Sequence, residues 1–148
     1  MGDIEQIEQA MVTIRRRATR RSLTPPNLPF GSSVFDVLDA VEAGEDAGSP
    51  VGVSAVAEAL HIDQPRASRL VAAVIGAGLV RREADQHDGR RALLVRTDAG
   101  RRLSVQVHRG RRAAFAAAMS DWSKQDRTTF AQLLTRFVVA LGASTPSS

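Results

Sequence analysis

Residues 63–100 read DQPRASRLVAAVIGAGLVRREADQHDGRRALLVRTDAG, and this stretch decides the fold. Asp63 is a good N-cap, because its carboxylate can accept an amide of the first helical turn. Pro65 falls inside that turn, where a missing amide donor costs nothing. Ala67, Leu70, Val71, Val74 and Ile75 then recur at helical spacing, which predicts a helix to about residue 77 with one buried stripe. Gly78 is the expected C-terminal stop. Leu79-Val80-Arg81-Arg82 and Ala92-Leu93-Leu94-Val95-Arg96 read as two strands around a polar turn over 84–91, a β-hairpin. Thr97 caps a long helix over about 98–119, apolar at Leu103, Val107, Ala114, Ala118 and Met119.

Upstream, His61-Ile62-Asp63 forms a turn after a short helix with Val53, Val56, Ala57 and Leu60 apolar. Residues 44–50 are a polar loop. Before it, Ser32 or Ser33 is expected to cap a helix to about residue 43, with Val34, Val37, Leu38 and Val41 inward. Thr24-Pro25-Pro26-Asn27-Leu28-Pro29 cannot continue a helix, since proline lacks the amide donor and clashes with the preceding turn. Residues 3–21 form a helix with Ile4, Ile7, Met11, Ile14 and Ala18 in one narrow seam, of the kind that packs against another helix. Glu5, Glu8, Arg15, Arg16 and Arg20 lie opposite. Downstream, Asp121 or Ser123 starts a last helix with Phe130, Leu133, Leu134, Phe137, Val138 and Leu141 on one face. Trp122 is expected to anchor the joint before it, and residues 142–148 to fray.

Composition narrows the function classes. The 148 residues suit one domain, or one core with helical arms, and 43% hydrophobic with 24% charged residues is near the globular average. No apolar run approaches the roughly 20 residues that span a membrane. The N-terminus lacks the layout of a secretory signal, so a cytoplasmic location is expected. The absence of cysteine excludes disulfides, thiolate metal sites and thiol redox switching. His61, His87 and His108 stand apart at spacings that suit no metal site, and no serine has a His/Asp partner pattern. No cofactor, no metal and no enzymatic activity are therefore expected. The net charge is +4, and Lys124 is the one lysine among 20 basic residues. Codon bias in a GC-rich genome explains such arginine enrichment equally well, so placement has to decide.

Placement points to nucleic acid. Two helices joined by a tight turn can set the second into the DNA major groove. The candidate reading residues there are Gln64, Pro65, Arg66, Ser68 and Arg69. Glutamine can pair with adenine and arginine with guanine or phosphate. The hairpin tip, Asp85-Gln86-His87-Asp88-Gly89-Arg90-Arg91, is narrow enough to enter the minor groove, whose negative potential favours arginine. Asp88, Gly89, Arg90 and Arg91 are its candidate contacts. A carboxylate at Asp88 can orient the Arg90 guanidinium. The alternative readings are a solvated polar helix face and an ordinary charged turn.

The stretch over about 51–100 resembles the MarR family of bacterial regulators. That family shows a "G-L-V-x-R" strand, a "D-x-R" wing and "L-T-x-x-G" at the next helix. Here stand Gly78-Leu79-Val80-Arg81-Arg82, Asp88-Gly89-Arg90 and Thr97-Asp98-Ala99-Gly100, in the same order and spacing. Two departures are visible. Arg96 replaces the leucine before Thr97, so that strand end is expected to be more exposed, and the proline-rich connector replaces a segment that often opens the second helix.

The resemblance implies a mainly α fold with a small β-hairpin wing: a winged helix-turn-helix lobe over 32–97 plus a helical dimerisation region over 1–31 and 98–148. It implies a homodimer that binds double-stranded DNA at a pseudo-palindromic site as a repressor. It also implies release by a small aromatic or anionic effector. The expected dimer contacts are Ile4, Ile7, Met11, Ile14, Phe130, Leu133, Leu134, Phe137 and Leu141, and no membrane partner is expected. The competing classes are an architectural DNA binder of low sequence preference and a helical protein-interaction dimer without DNA binding.

Overall fold

The computed structural model describes residues 1–19 and 30–144. In chain order these form α1 (Asp3–Thr19), α2 (Ser32–Asp46), α3 (Val53–Leu60), α4 (Gln64–Gly76), β1 (Val80–Ala84), β2 (Ala92–Arg96), α5 (Asp98–Ala118) and α6 (Lys124–Ser144). The mainly helical fold with one antiparallel hairpin is the expected class. Arg20, Arg21 and the proline-rich connector lie outside the described residues. The chain divides into two compact units, residues 1–111 and 112–148, with the boundary inside α5.

The core of the first unit is built from one stripe of each element. Phe35, Val37, Leu38 and Val41 come from α2, Val56 from α3, Val71 and Val74 from α4, Val80 and Leu94 from the hairpin, and Leu103 and Val107 from α5. Burying each such side chain is worth about 1.5–3 kcal/mol. The helix α1 contributes nothing to this cluster.

The connections follow local chemistry. Asp63 caps α4 by accepting the Arg66 amide at 2.8 Å, and Pro65 sits in the first turn. Gly78, at φ +77°, turns the chain out of α4 in a region closed to most side chains. Thr97 Oγ1 accepts the Gly100 amide at 3.1 Å and donates to the Gly78 carbonyl at 2.6 Å. The strands pair with Val80 opposite Arg96 and Ala84 opposite Ala92. The outer edge of β2 is not left bare, because the Leu94 amide donates to the Val51 carbonyl at 2.8 Å.

Four local expectations need correction. The N-cap of α2 is Gly31, with no side-chain cap bond, rather than Ser32 or Ser33, and the helix runs on to Asp46. β1 continues to Ala84, so the turn is shorter than the polar composition suggested. The chain from residue 142 stays helical to Ser144, the cost of about 1 kcal/mol for Gly142 inside a helix being too small to end it by itself. Arg96 is not at an exposed strand end: its side chain is 12% exposed.

In the second unit, Ser123 caps α6 by accepting the Asp126 amide at 3.0 Å. Trp122 meets Phe130 edge to face at 5.4 Å between ring centres. None of the described residues over 112–143 is buried.

Candidate nucleic-acid interface

Helix α4 is two-faced. Ala67, Val71 and Val74 are buried, while Gln64, Pro65, Arg66, Ser68 and Arg69 are all exposed. The 3.6-residue period puts the polar set over the first two turns, away from the core. Arg66 and Arg69 have no carboxylate partner among the described residues, so their guanidinium donors are open to a ligand.

The wing carries the second set. Asp88, Gly89, Arg90 and Arg91 are exposed. The tip is fixed by its own backbone. The Asp85 amide donates to the Arg91 carbonyl at 3.0 Å, and the Arg91 amide to the Asp88 carbonyl at 3.0 Å. The Asp85 and Asp88 carboxylates accept the amides of His87 and Arg90, at 2.9 and 3.1 Å. Asp88 therefore braces the turn through the Arg90 backbone and leaves the guanidinium unheld, unlike the arrangement expected from the sequence. An Asp two residues before an amide closes such a turn readily, which is the physical reason. Helix α4 and the wing belong to one unit, joined by the three residues Ala77-Gly78-Leu79.

At the wing's root lies a cluster that sequence reading missed. The Arg96 amide and Nε–H reach Glu45 at 2.6 and 3.0 Å, Nη2 reaches Glu45 at 2.9 Å, and Nη1 reaches Glu42 at 2.8 Å. The second oxygen of Glu42 meets His108 Nε2 at 2.6 Å. One helical stretch further, Arg111 grips Asp39 with two bonds at 3.0 and 2.8 Å. The bond to Asp39, chiefly, raises the Arg111 guanidinium above its ordinary range. Asp36 is exposed, yet neighbouring atoms strip enough water from its carboxyl to raise it above the usual aspartate value. The charge of Asp39 adds to this and Arg111 opposes it. The readable signal was the acidic series Asp36, Asp39, Glu42, Glu45 at intervals of three. Its partners lie 51 to 72 residues away and could not be read.

The residues predicted to meet a partner helix are also placed. Ile4 is 73% exposed and Leu133 51%. Ile7, Ile14, Phe130, Leu134 and Leu141 are exposed as well, while Met11 and Phe137 are half-buried.

Comparison with known proteins supports one lineage. Residues 28–91 match the model of the MarR family. The chain is 31% identical over 91 residues to an uncharacterized HTH-type transcriptional regulator, YxaD, of Bacillus subtilis (strain 168). That match covers 62% of this chain and 64% of the relative, slightly under two thirds of its length. A MarR family protein from Bacillus stearothermophilus superposes with a TM-score of 0.75 at 17% identity, over 95% of this chain and 94% of that one. The structure of RV1404 from Mycobacterium tuberculosis gives 0.72 at 22% identity, over 100% and 99%. At those identities the two superpositions speak for the fold alone.

Proposed function

We propose that the chain, whose residues 28–91 match the MarR family model, is a regulator of that family, sequence-specific and binding duplex DNA as a homodimer. The carrying observation is the coexistence, in one unit, of an exposed Gln64–Arg69 surface on α4 and an exposed Arg90 on a braced wing tip. α4 enters the major groove and reads base edges through Gln64, Arg66 and Arg69. Arg90 and Arg91 enter the adjoining minor groove. Residues 32–97 serve as the DNA-binding lobe, and 1–31 with 98–148 as the dimerisation region.

The exposed seams on α1 and α6 support the dimer, because isoleucine, leucine and phenylalanine in contiguous stripes are costly to leave in water. Two-fold symmetry then sets the reading helices about 34–36 Å apart and calls for a pseudo-palindromic operator. Repression follows from occupying the promoter. Release follows when a small aromatic or anionic molecule binds the DNA-incompetent form better than the competent one.

Selection of bound fragments from genomic DNA with the purified protein tests this directly, followed by gel-shift titration of the best fragment. Arg90→Ala should weaken binding by about 1–3 kcal/mol. Unchanged affinity removes the wing from the interface. Equal affinity for selected and random DNA makes the protein an architectural binder instead, and no salt-dependent retention at all refutes DNA binding.

A further inference from the structure

A wing works as a lever. The strand β2 runs from Ala92 to Arg96, about 13 Å at roughly 3.3 Å per residue, and Arg90 stands in the turn beyond its far end. A swing of about 10° at the root therefore moves the far end of the strand by about 2.3 Å, more than a hydrogen bond tolerates. Something must hold the root: Val80 and Leu94 seat the hairpin in the core, the Leu94 amide ties β2 to Val51, and the polar bonds of Arg96 add the directional hold that apolar packing lacks.

We propose that Arg96 is a positioning residue for the wing, acting through the half-buried cluster with Glu45, Glu42 and His108. It rests on the reading of the wing as a DNA contact. Arg96 itself touches no ligand, since its side chain is 12% exposed and every guanidinium nitrogen is engaged. Its planar fork spans two carboxylates one turn apart on α2, and its backbone amide adds a third tie to Glu45. Its carbonyl in turn accepts Arg101 Nη1 at 2.9 Å. The next residue, Thr97, is bound to Gly78 and Leu79. The last residues of β2 are thus fastened to α2, to the α4–β1 turn and to α5 at once. Glu42 divides its oxygens between Arg96 and His108, which fixes the carboxylate that in turn fixes the fork. An apolar side chain at 96 would fill space but could not set the direction of the strand in this way.

The test is a double-mutant cycle on the selected operator with the full-length protein. Arg96→Lys keeps the charge, but a single ammonium cannot bridge Glu42 and Glu45 in a planar fork. Glu45→Gln is the second variant, which keeps the volume and loosens the same tie. Circular dichroism and thermal melts establish that each is folded. In the wild-type background Arg90→Ala weakens binding about 5–150-fold, the range of one good base contact at tenfold per 1.4 kcal/mol. In the Arg96→Lys or Glu45→Gln background the same change is expected to cost less than about threefold, because the tip is no longer delivered. Arg66→Ala is expected to keep its full penalty in both backgrounds. A merely structural role would lower the folded fraction and leave the Arg90 penalty intact.

A second readout needs no DNA. The chain has no cysteine, so spin labels at His87→Cys and Ala43→Cys report one tip-to-α2 distance when labelled chains are diluted into unlabelled ones. The distribution is expected to broaden in Arg96→Lys. A full Arg90→Ala penalty in the variant backgrounds, or an unbroadened distribution, overturns the role of Arg96 and leaves the wing reading standing. An Arg90→Ala change without effect in the wild type overturns the wing reading and this inference with it.

Discussion

Gly100→Ala is the substitution on which helix propensity and packing disagree in sign. Alanine is preferred to glycine inside a helix by about 1 kcal/mol, so propensity alone predicts stabilisation. The structure predicts the reverse. A Cβ on Gly100 would stand 2.0 Å from the Leu79 carbonyl oxygen and 3.0 Å from its carbon. Both atoms are backbone, held by the Thr97 amide at 3.0 Å and by the core burial of the Leu79 side chain. Relief requires α5 to retreat by more than an ångström from the β1 entry. That movement strains the packing by about 1–3 kcal/mol. It also loosens the Thr97–Leu79 and Thr97–Gly78 bonds, at about 0.5–1.5 kcal/mol each.

After the propensity gain is subtracted, the net loss is about 3 kcal/mol, or roughly 6–12 °C in Tm for a chain of this size. Urea and thermal unfolding at one protein concentration measure it, since a dimer's Tm depends on concentration. Gly76→Ala is the control: a Cβ there meets nothing within 4 Å, so it should stabilise by about 0.5–1 kcal/mol. If Gly100→Ala is neutral or stabilising, the close approach of α5 to Leu79 is wrong.

Three further outcomes follow from single positions. His61 holds φ +54° at the exposed end of α3, so His61→Gly should raise the urea midpoint by the equivalent of about 1 kcal/mol; a lowered midpoint assigns the imidazole a contact worth more than the strain. Asp36 has its folded-state pKa raised, chiefly by desolvation, so the folded state binds more protons than the unfolded one between the two values, and stability falls as pH rises through that window. Asp36→Asn should therefore out-stabilise the wild type above the window and lose its advantage below the unfolded value; an advantage that grows towards acid reverses the sign and refutes the assignment. Ser104 is 5% exposed, and its hydroxyl has no partner among the described residues, so Ser104→Ala should stabilise by about 1 kcal/mol in the same unfolding assay, and a loss would reveal a bond to that oxygen.

What could be read in the sequence was whatever depends on neighbours along the chain. Asp63 with Pro65, Gly78, and Thr97 each mark an element boundary through bonds spanning three or four residues, or a φ that only local chemistry sets. The buried stripes of α2, α4 and α5 follow from a fixed period. The polar surface of α4 was legible as the complement of its stripe. What escaped depends on distant partners. Arg96 read as an exposed strand end because a charged residue replaces leucine there, whereas Glu45 and Glu42 meet it from 51 and 54 residues away. His108, ruled out as a metal ligand by its spacing, likewise meets Glu42 from 66 residues away. Asp88 was misread in a subtler way: its side chain had two donors within reach, the Arg90 amide and the Arg90 guanidinium, and the amide wins because closing a two-residue turn orders fewer torsions than holding a long side chain.

The partition of arginines bears on function more than their number does. A GC-rich genome raises arginine everywhere and so accounts for the count. It has no means of choosing which arginines acquire carboxylates. In the first unit Arg96 and Arg111 are bound into α2, Arg101 to Asp98, and Arg81 to Glu83. Arg66, Arg69, Arg90 and Arg91 have no carboxylate among the described residues, and they lie on the α4 face and the wing tip. A guanidinium already satisfied by a carboxylate must break that pair before it can take a phosphate, whereas an unpaired one gives up only water and counterion exchange. Arg96 and Arg111, paired across the chain in half-buried surroundings, thus belong to the fold, whereas the Arg81 and Arg101 pairs are local and exposed. Arg16, Arg82, Arg102 and Arg109 are exposed and without a carboxylate among the described residues as well, so lack of a partner alone does not mark the interface. What sets Arg66, Arg69, Arg90 and Arg91 apart is their place on α4 and the wing tip, where the proposed duplex would supply the counter-charge.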